Sequence, residues 1–221
     1  MRKRNYLKKK QYLDIYLSLM ALVFLSPFFL ALMIAIKLDS PGPVFFKQKR
    51  VGIHKKHFYI LKFRTMRTDT PKDMPTHLLK DPDQYITKVG KFLRKTSLDE
   101  LPQIINILKG DMTIVGPRPE RPAIAAEYEK VMPEFRLRLQ AKAGLTGYAQ
   151  VYGKYNTTPY DKLLMDLTYI SRPSLLEDMM IMFATVKILF MPESTEGIEE
   201  GQITAMQDTP ASGTDKEKKD E

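Results

Sequence analysis

Residues 18–36 read SLMALVFLSPFFLALMIAI, an apolar run that has no charged side chain and carries Ser26-Pro27 near its centre. With Leu17 added, the run covers twenty residues. As an α-helix, a run of this length measures about 30 Å, which is the thickness of the hydrocarbon core of a bilayer. A cleaved signal peptide would have a shorter apolar core and a cleavage site of small residues, whereas this run ends in AIKLDSPGP. The sequence therefore predicts that residues 1–38 form a membrane anchor.

The basic residues on both sides of the run bear on its path through the membrane. Six lie in residues 1–12, and six more, against one acidic residue, lie in residues 37–56. Because basic flanks favour the cytoplasmic side, a re-entrant helix-break-helix would keep both flanks on that side, and a plain crossing would not. Pro27 cannot donate to the carbonyl four residues back, and the Ser26 hydroxyl can satisfy a carbonyl that is freed in this way. A transmembrane helix with an ordinary proline kink remains the alternative.

The composition limits what the rest of the chain can be. The 221 residues suffice for one substantial domain plus an anchor, and the absence of cysteine excludes disulfides and thiolate metal sites. The three histidines lack carboxylates at ligand spacing, so no zinc site is expected. Residues 192–221 carry a net charge of −6, which leaves +15 on residues 1–191. That body should bind anions such as phosphates, acidic lipids or nucleic acid, and the acidic tail is predicted to be disordered.

The segments after the anchor predict an α+β domain over residues 39–191 that is mainly helical. VFFKQKR (44–50) and HFYILKFR (57–64) have the composition of two short strands and predict a small β-hairpin. Helical patterns prevail further along the chain. The strongly apolar segment 175–191 is either a core helix or an amphipathic helix that lies in the membrane interface.

The stretch TSLDELPQ, residues 96–103, contains two adjacent carboxylates. Ser97 and Glu100 match the capping box S-x-x-E, which would explain both residues without any catalysis. Asp99 is then explained only as a favourable charge near a helix N-terminus. Alternatively, Asp99 and Glu100 together suit Mg²⁺ that is shared with phosphate oxygens, and one of them could attack phosphorus as a nucleophile.

Several basic residues are candidates for binding phosphate. VGPRPERP, residues 115–122, contains three prolines that would hold Arg118 and Arg121 on a stiff loop, suited to bidentate phosphate contacts. Solvated surface arginines are the commoner alternative. Lys62 and Arg64 fall on one face of the second predicted strand, and Arg94 precedes Asp99 by five residues.

Five segments resemble, in kind, order and spacing, those of the bacterial sugar transferases, which are monotopic phosphoglycosyl transferases. They are the apolar run with Ser26-Pro27, KFRTM (62–66), SLDELPQ (97–103), LKGDMTIVGPRPE (108–120) and GLTGYAQVYGK (144–154). By its length, the chain resembles the small form of this family. The resemblance covers residues 11–191, and the acidic tail has no counterpart in it. It implies transfer of a sugar-1-phosphate from a UDP-sugar to undecaprenyl or another polyprenyl phosphate, with release of UMP and with Mg²⁺ as the cofactor. It also implies a place on the cytoplasmic face of the bacterial inner (plasma) membrane, among its lipids, at the start of polysaccharide or glycoconjugate synthesis.

The resemblance also assigns roles to residues. Asp99 matches the nucleophile that forms a covalent phosphosugar intermediate, and Glu100 would help with the metal or with protons. Arg118 matches the phosphate-binding arginine of a Pro-Arg-Pro motif, and Arg94 matches a basic position before the two carboxylates. Ser26-Pro27 matches the break of a re-entrant membrane helix.

Other readings stay open at this point. A membrane-bound nucleotide-sugar phosphohydrolase would use water in place of the lipid acceptor at the same carboxylates. A basic, membrane-anchored binding module would need no catalysis at all. Nucleic-acid binding fits the charge of the body but not the apolar anchor. The sequence leaves open which sugar is transferred, which product is made, and whether the chain forms a homodimer.

Overall fold

The computed structural model describes residues 2–70, 82–153 and 157–189. Its helices are α1 Arg2–Asp39, α2 Lys88–Lys95, α3 Gln103–Leu108, α4 Pro122–Val131, α5 Tyr148–Tyr152, α6 Pro159–Ser171 and α7 Leu175–Leu189. Its strands are β1 Phe45–Val51, β2 His57–Phe63, β3 Met112–Val115 and β4 Ala143–Thr146. The mainly helical class and the β1–β2 hairpin are confirmed, and a second, parallel pair of strands, β3–β4, was not predicted. The predicted tail, residues 192–221, lies outside the described residues.

Helix α1 runs through Ser26-Pro27 as one continuous helix. The predicted break at this pair is therefore not seen, because the helix is not interrupted there. The physical reason is local: Pro27 cannot donate to the carbonyl of Val23, four residues back, and the Ser26 Oγ donates to that same carbonyl at 2.8 Å. Within the described ranges, α1 is the one helix long and apolar enough to cross a membrane, judged by length and composition.

The C-terminal half of α1 packs on the folded body. Its buried side chains form a core cluster with one residue of β2 and one of α2: Phe29, Leu32, Ile36, Phe63 and Leu93. The rings of Phe29 and Phe63 are 5.4 Å apart at their centroids. Burial of large apolar side chains of this kind is the main force that holds α1 against the hairpin and α2.

The N-terminal half of α1 is joined to the same body by buried polar groups, which we call the anchor network. Its members come from α1, β3, α6 and α7: Tyr6, Lys10, Asp14, Thr113, Tyr169 and Asp178. One Asp178 oxygen accepts from Tyr6 at 2.6 Å and also from Lys10, and the other accepts from Tyr169 at 2.6 Å. Thr113 donates to Asp14. Both halves of α1 therefore contact one body.

Two helices present large apolar side chains to the outside. In α1 these surround the Ser26-Pro27 pair: Leu19, Met20, Val23, Phe24, Phe28, Leu30 and Ile34. In α7 they are Leu175, Leu176, Met179, Met180, Phe183, Val186 and Leu189, while Asp178 and Ile181 are buried. An ordinary core helix does not leave so many large apolar side chains exposed, and contiguous apolar surface of this kind marks a membrane or protein contact.

Candidate functional site

The two adjacent carboxylates lie in a single 3₁₀ turn, Leu98–Glu100, between α2 and α3. The capping box predicted for Ser97 and Glu100 is wrong. Ser97 has a left-handed backbone conformation with φ of 55°, and its side chain makes no capping hydrogen bond. The following α-helix, α3, begins only at Gln103, after Pro102 at its cap position, so Glu100 does not lie in the first turn of that helix. Its carboxylate is free to face other groups.

The turn lies beside β2 because α3 is fastened to that strand. Asn106 of α3 is fully buried, and its side chain accepts from the Leu61 N–H at 2.9 Å and donates to the Tyr59 carbonyl at 2.8 Å. Lys62 is the next residue of the strand. The Asn106 side chain thus sets the position of Lys62 relative to the 3₁₀ turn that precedes α3.

Glu100 is held by two cations. Its Oε1 accepts from Lys62 Nζ at 2.6 Å and from Arg118 Nη2 at 2.8 Å, and its Oε2 lies 3.4 Å from Arg118 Nη1. Burial acts to raise the pKa of Glu100, but the charges and hydrogen bonds of Arg118 and Lys62 outweigh it and hold this pKa well below its ordinary value. Glu100 is therefore ionised at neutral pH, and it orients both cations.

Asp99 is close to the same cations but makes no hydrogen bond with them. Its Oδ2 lies 3.8 Å from Lys62 Nζ, and its carboxylate takes part in no hydrogen bond among the contacts described. Burial raises the pKa of Asp99 above its ordinary value, and Glu100 adds to this, while Lys62, Arg94 and Arg118 act in the opposite direction. Asp99 is thus a carboxylate with unused lone pairs in a positively charged surrounding.

Arg94 of α2 completes the group. Its Nε donates to Thr65 Oγ1 at 2.9 Å, which leaves its two terminal nitrogen atoms without a hydrogen bond in the described part of the chain. Burial lowers the pKa of Arg94, and the charge of Asp99 acts against this change. We call Lys62, Arg94, Asp99, Glu100 and Arg118 the dyad cluster. Its three cations exceed its two carboxylates, so it can accept an anionic ligand.

Two further predicted phosphate ligands are not part of this cluster. Arg64 is buried and donates to the carbonyls of Ile36, Ser40 and Pro41 at the end of α1. Strand β2 ends at Phe63, so the alternation that would place Arg64 beside Lys62 no longer applies. Arg121 precedes α4 and makes no ion pair with either carboxylate of the dyad cluster in the described ranges.

The Pro-Arg-Pro loop that carries Arg118 follows β3 and is hydrogen-bonded to β4. Gly116 donates to the Thr146 carbonyl at 2.9 Å, and Gly144 donates to the Pro117 carbonyl at 2.9 Å. A Cβ on Gly144 would lie 2.2 Å from the Gly116 nitrogen, so only glycine permits this approach. The GLTG sequence, a weak signal by itself, is thereby explained as the support of the loop.

Sequence reasoning missed two arginines beneath this loop, the half-buried Arg50 and the buried Arg138. The hairpin register pairs Phe46 with Lys62, which also places Arg50 on the Lys62 face of the sheet. That signal was available once a hairpin had been predicted. Arg138 and its partner Asp166 lie in separate segments, and no local pattern reveals such a pair.

The donor set can be tested for Mg²⁺. No group of three or more His, Cys, Asp or Glu side chains that could hold a metal occurs among the described residues. Mg²⁺ usually binds to one or two carboxylates together with substrate phosphates and water, and not within an all-protein cage. Asp99, which accepts no hydrogen bond from the described residues, and the weakly bonded Oε2 of Glu100 fit this requirement.

Comparison with known proteins shows which protein family the chain matches. Residues 5–192 match the family model described as bacterial sugar transferase. The exopolysaccharide production protein PSS of Rhizobium leguminosarum bv. phaseoli is 41% identical over 185 residues, which are 80% of this chain and 92% of the relative.

Two longer relatives have names that state a reaction. The UDP-glucose:undecaprenyl-phosphate glucose-1-phosphate transferase of Xanthomonas campestris pv. campestris is 42% identical over 80% of this chain and 38% of the relative. The UDP-N-acetylgalactosamine-undecaprenyl-phosphate N-acetylgalactosaminephosphotransferase of Aeromonas hydrophila is 38% identical over 81% of this chain and 43% of the relative. The chain spans about two fifths of the length of these two relatives. It belongs to the bacterial sugar transferase family.

Proposed function

We propose that the protein transfers a sugar-1-phosphate from a UDP-sugar to undecaprenyl or another polyprenyl phosphate, releases UMP, and so initiates polysaccharide or glycoconjugate synthesis. The observation that carries this proposal is the dyad cluster, in which an aspartate that accepts no hydrogen bond from the described residues lies among three cations. Relatives named as sugar-phosphate transferases that use undecaprenyl phosphate support it. Both substrates are phosphate anions, and positioned cations are the main catalytic aid in phosphoryl transfer.

In the first step, an Asp99 oxygen attacks the β-phosphorus of the UDP-sugar. A bond forms between the carboxylate and phosphorus, and the bond from that phosphorus to the bridging oxygen breaks, so that UMP leaves with the bridging oxygen. The enzyme keeps the sugar-1-phosphate as a covalent acyl phosphate. The absence of hydrogen bonds to the Asp99 carboxylate in the described structure supports this role, because its lone pairs are available.

In the second step, a phosphate oxygen of the polyprenyl phosphate attacks the same phosphorus. The acyl phosphate bond breaks, Asp99 is regenerated, and the product is a polyprenyl diphosphate sugar. Covalent storage lets a soluble donor and a lipid acceptor use one site in turn. Glu100, whose pKa lies well below its ordinary value, acts here as the residue that orients Lys62 and Arg118 and not as a proton donor.

Mg²⁺ fits the same carboxylates. Asp99 and Glu100 would hold it together with the oxygens of the diphosphate. When bound, the ion would offset the negative charge of the diphosphate. Arg94 and Arg118 bind the phosphate groups from the protein side, through guanidinium nitrogen atoms suited to paired contacts with phosphate.

The membrane placement is part of the proposal: α1 stays one continuous helix but bends at Ser26-Pro27, so that it enters one leaflet and returns, α7 lies in the interface, and the body stays on the cytoplasmic face. Contacts of both halves of α1 with one body support this path, because a plain crossing would move one half away from it. The exposed apolar side chains around Ser26-Pro27 would then lie among the acyl chains. Tags at both chain ends should be inaccessible from outside intact cells, and external labelling of the N-terminal tag alone would refute re-entry.

The activity is tested with a panel of UDP-sugars, Mg²⁺ and undecaprenyl phosphate. UMP should appear with at least one sugar, together with a lipid-linked product, and Asp99→Asn should stop its formation. Release of free sugar-1-phosphate without the lipid would identify a phosphohydrolase instead. If no UDP-sugar of the panel yields UMP, the protein is a binding module and the proposal fails.

A further inference from the structure

Three successive carbonyls of the loop around Arg118 each accept a hydrogen bond from a different group. They belong to Arg118, Pro119 and Glu120. The donors, in that order, are Arg138 Nη2 at 3.0 Å, Arg50 Nη1 at 3.2 Å and the Val51 N–H at 3.0 Å. Pro117 and Pro119 have no N–H to donate, so the backbone of this loop is held chiefly through its carbonyls.

The two arginines are themselves fixed in place. Arg138 is 7% exposed, donates to Asp166 Oδ2 at 2.6 Å, and lies with its guanidinium carbon 4.8 Å from the centre of the Phe135 ring. Arg50 donates to Gln48 Oε1 at 2.6 Å, and burial lowers its pKa to about 10. Arg50 is thus held by a neighbour on its own strand and Arg138 by Asp166 of α6, so each guanidinium has a set direction toward the loop.

Neither arginine contacts the carboxylates of the dyad cluster. In the described ranges, the ion pairs of Arg138 are with Glu120 and Asp166, and Arg50 makes none. Arg118, in contrast, reaches Glu100 through both terminal nitrogen atoms. The connection from Arg50 and Arg138 to the site therefore runs through the backbone that carries Arg118.

We propose that Arg50 and Arg138 are positioning residues for the transfer reaction, which act by holding the Arg118 backbone so that its guanidinium meets Glu100 and the substrate phosphate. The inference rests on the proposed function for its kinetic consequence. A displacement of about 1 Å at a positioned group can reduce a rate by about 10²-fold. A lysine cannot make all the contacts of Arg138. One Arg138 nitrogen donates to the Arg118 carbonyl and to Asp166, and the other is paired with Glu120.

The first test measures the loop directly and needs no activity. Hydrogen–deuterium exchange of peptides that cover residues 116–121 should be faster in Arg50→Met and in Arg138→Lys than in the wild-type protein. Arg136→Met is the matched control, because Arg136 is exposed in the same 3₁₀ segment, Pro133–Gln140, as Arg138. Unchanged exchange in both variants would overturn the proposal even if the protein proves not to be a transferase.

The second test is a double-mutant cycle on the UMP-forming step. Arg138→Lys and Arg50→Met should each lower kcat by about 10²-fold with little change in KM, and by less than about threefold when Arg118 is already replaced by alanine. A residue that merely supports the fold would cause the same fold-loss in both backgrounds, and that result would overturn the proposal. Arg50 lies on β1 and Arg138 on a separate segment. If Arg138→Lys does not fold, the kcat of Arg50→Met in the two backgrounds still tests the proposal. A wild-type protein without UMP release would instead refute the proposed function and leave the exchange result to decide on the loop.

Discussion

The dyad cluster and the anchor network are both groups of carboxylates and cations, and they are built in opposite ways. In the anchor network, both oxygens of Asp178 accept hydrogen bonds, from two tyrosines and Lys10, and the side chain is 5% exposed. In the dyad cluster, Asp99 accepts none in the described structure, lies 3.8 Å from Lys62, and is 14% exposed. The residue type is the same, but the use of its lone pairs differs.

This difference separates a structural carboxylate from a reactive one. A buried carboxylate whose two oxygens both accept hydrogen bonds joins its own helix, here α7, to the elements that supply the donors, here α1 and α6. A charged carboxylate that lies beside cations without accepting a hydrogen bond from them keeps lone pairs for phosphorus or for a metal ion. The four variants that follow would break or sharpen this distinction, in order of decreasing effect.

Replacement of Asp99 should remove activity without harm to the fold. Asp99→Asn is expected to lower UMP release by about 10⁴-fold or more, as loss of a nucleophile does. Because burial raises the pKa of Asp99, the folded protein at neutral pH carries a charge that it disfavours, and the neutral amide should leave the thermal unfolding temperature unchanged or higher. Unfolding in detergent and UMP release check both parts. Wild-type turnover, or a clear loss of stability, would contradict them.

Replacement of Asp178 should have the opposite profile. Asp178→Asn leaves Lys10 buried without its nearest counter-charge, and the free energy of unfolding should fall by about 3 kcal/mol. Glu177→Gln is the matched control, because the neighbouring carboxylate is less buried, and it should change stability by less than about 0.5 kcal/mol. Denaturant unfolding in detergent measures both. Equal stability of the two variants would show that the anchor network does not hold α1.

Replacement of Lys62 should change the pH dependence. Lys62 is the cation that most lowers the pKa of Asp99, so Lys62→Met should raise that pKa further. Activity requires ionised Asp99 and is lost as the pH falls through its pKa, so the acidic limb of the pH profile for UMP release should move to higher pH. The rate at the optimum should also fall, by about 10²-fold. Lys47→Met, which changes an exposed lysine of the same hairpin, should leave the limb in place. A limb that stays or moves to lower pH in Lys62→Met would contradict the proposed role of Asp99.

Replacement of Lys55 should do almost nothing. Its ammonium lies 2.6 Å from Glu129, the same distance as from Lys62 to Glu100, but its side chain is 58% exposed. Lys55→Met should change the free energy of unfolding by less than about 0.5 kcal/mol and leave UMP release unchanged, because water and salt screen such a pair. A loss above about 1 kcal/mol would show that distance, and not burial, governs these pairs.

Local patterns predicted the parts of the fold that depend on local physics. Apolar length predicted α1, and strand composition between turn residues predicted the β1–β2 hairpin. The predicted break at Ser26-Pro27 was not seen, because one hydroxyl restores the hydrogen bond that proline removes and the helix continues. The parallel β3–β4 pair depends on contacts between distant segments and on the close approach of two glycines, which no local window contains.

The sequence predicted those parts of the candidate site whose reactive side chains lie together in short motifs. Asp99, Glu100 and Arg118 came from two such motifs, and the structure brings them together with Lys62 and Arg94. Arg64 was misassigned to this group because the strand ends one residue earlier than the alternation requires. Asp178 and its partner Lys10 are 168 residues apart, so their pairing exists only in the folded chain.

The most direct test of the central claim is the mass of the protein after incubation with a UDP-sugar and Mg²⁺ in the absence of polyprenyl phosphate. The sugar should be one that supports UMP release. The wild-type protein should gain the mass of one sugar phosphate on the peptide that contains Asp99, and undecaprenyl phosphate should remove it. The Asp99→Asn protein should gain nothing. UMP release by a wild-type protein that never carries this adduct, or an adduct that persists in Asp99→Asn, would contradict Asp99 as the nucleophile.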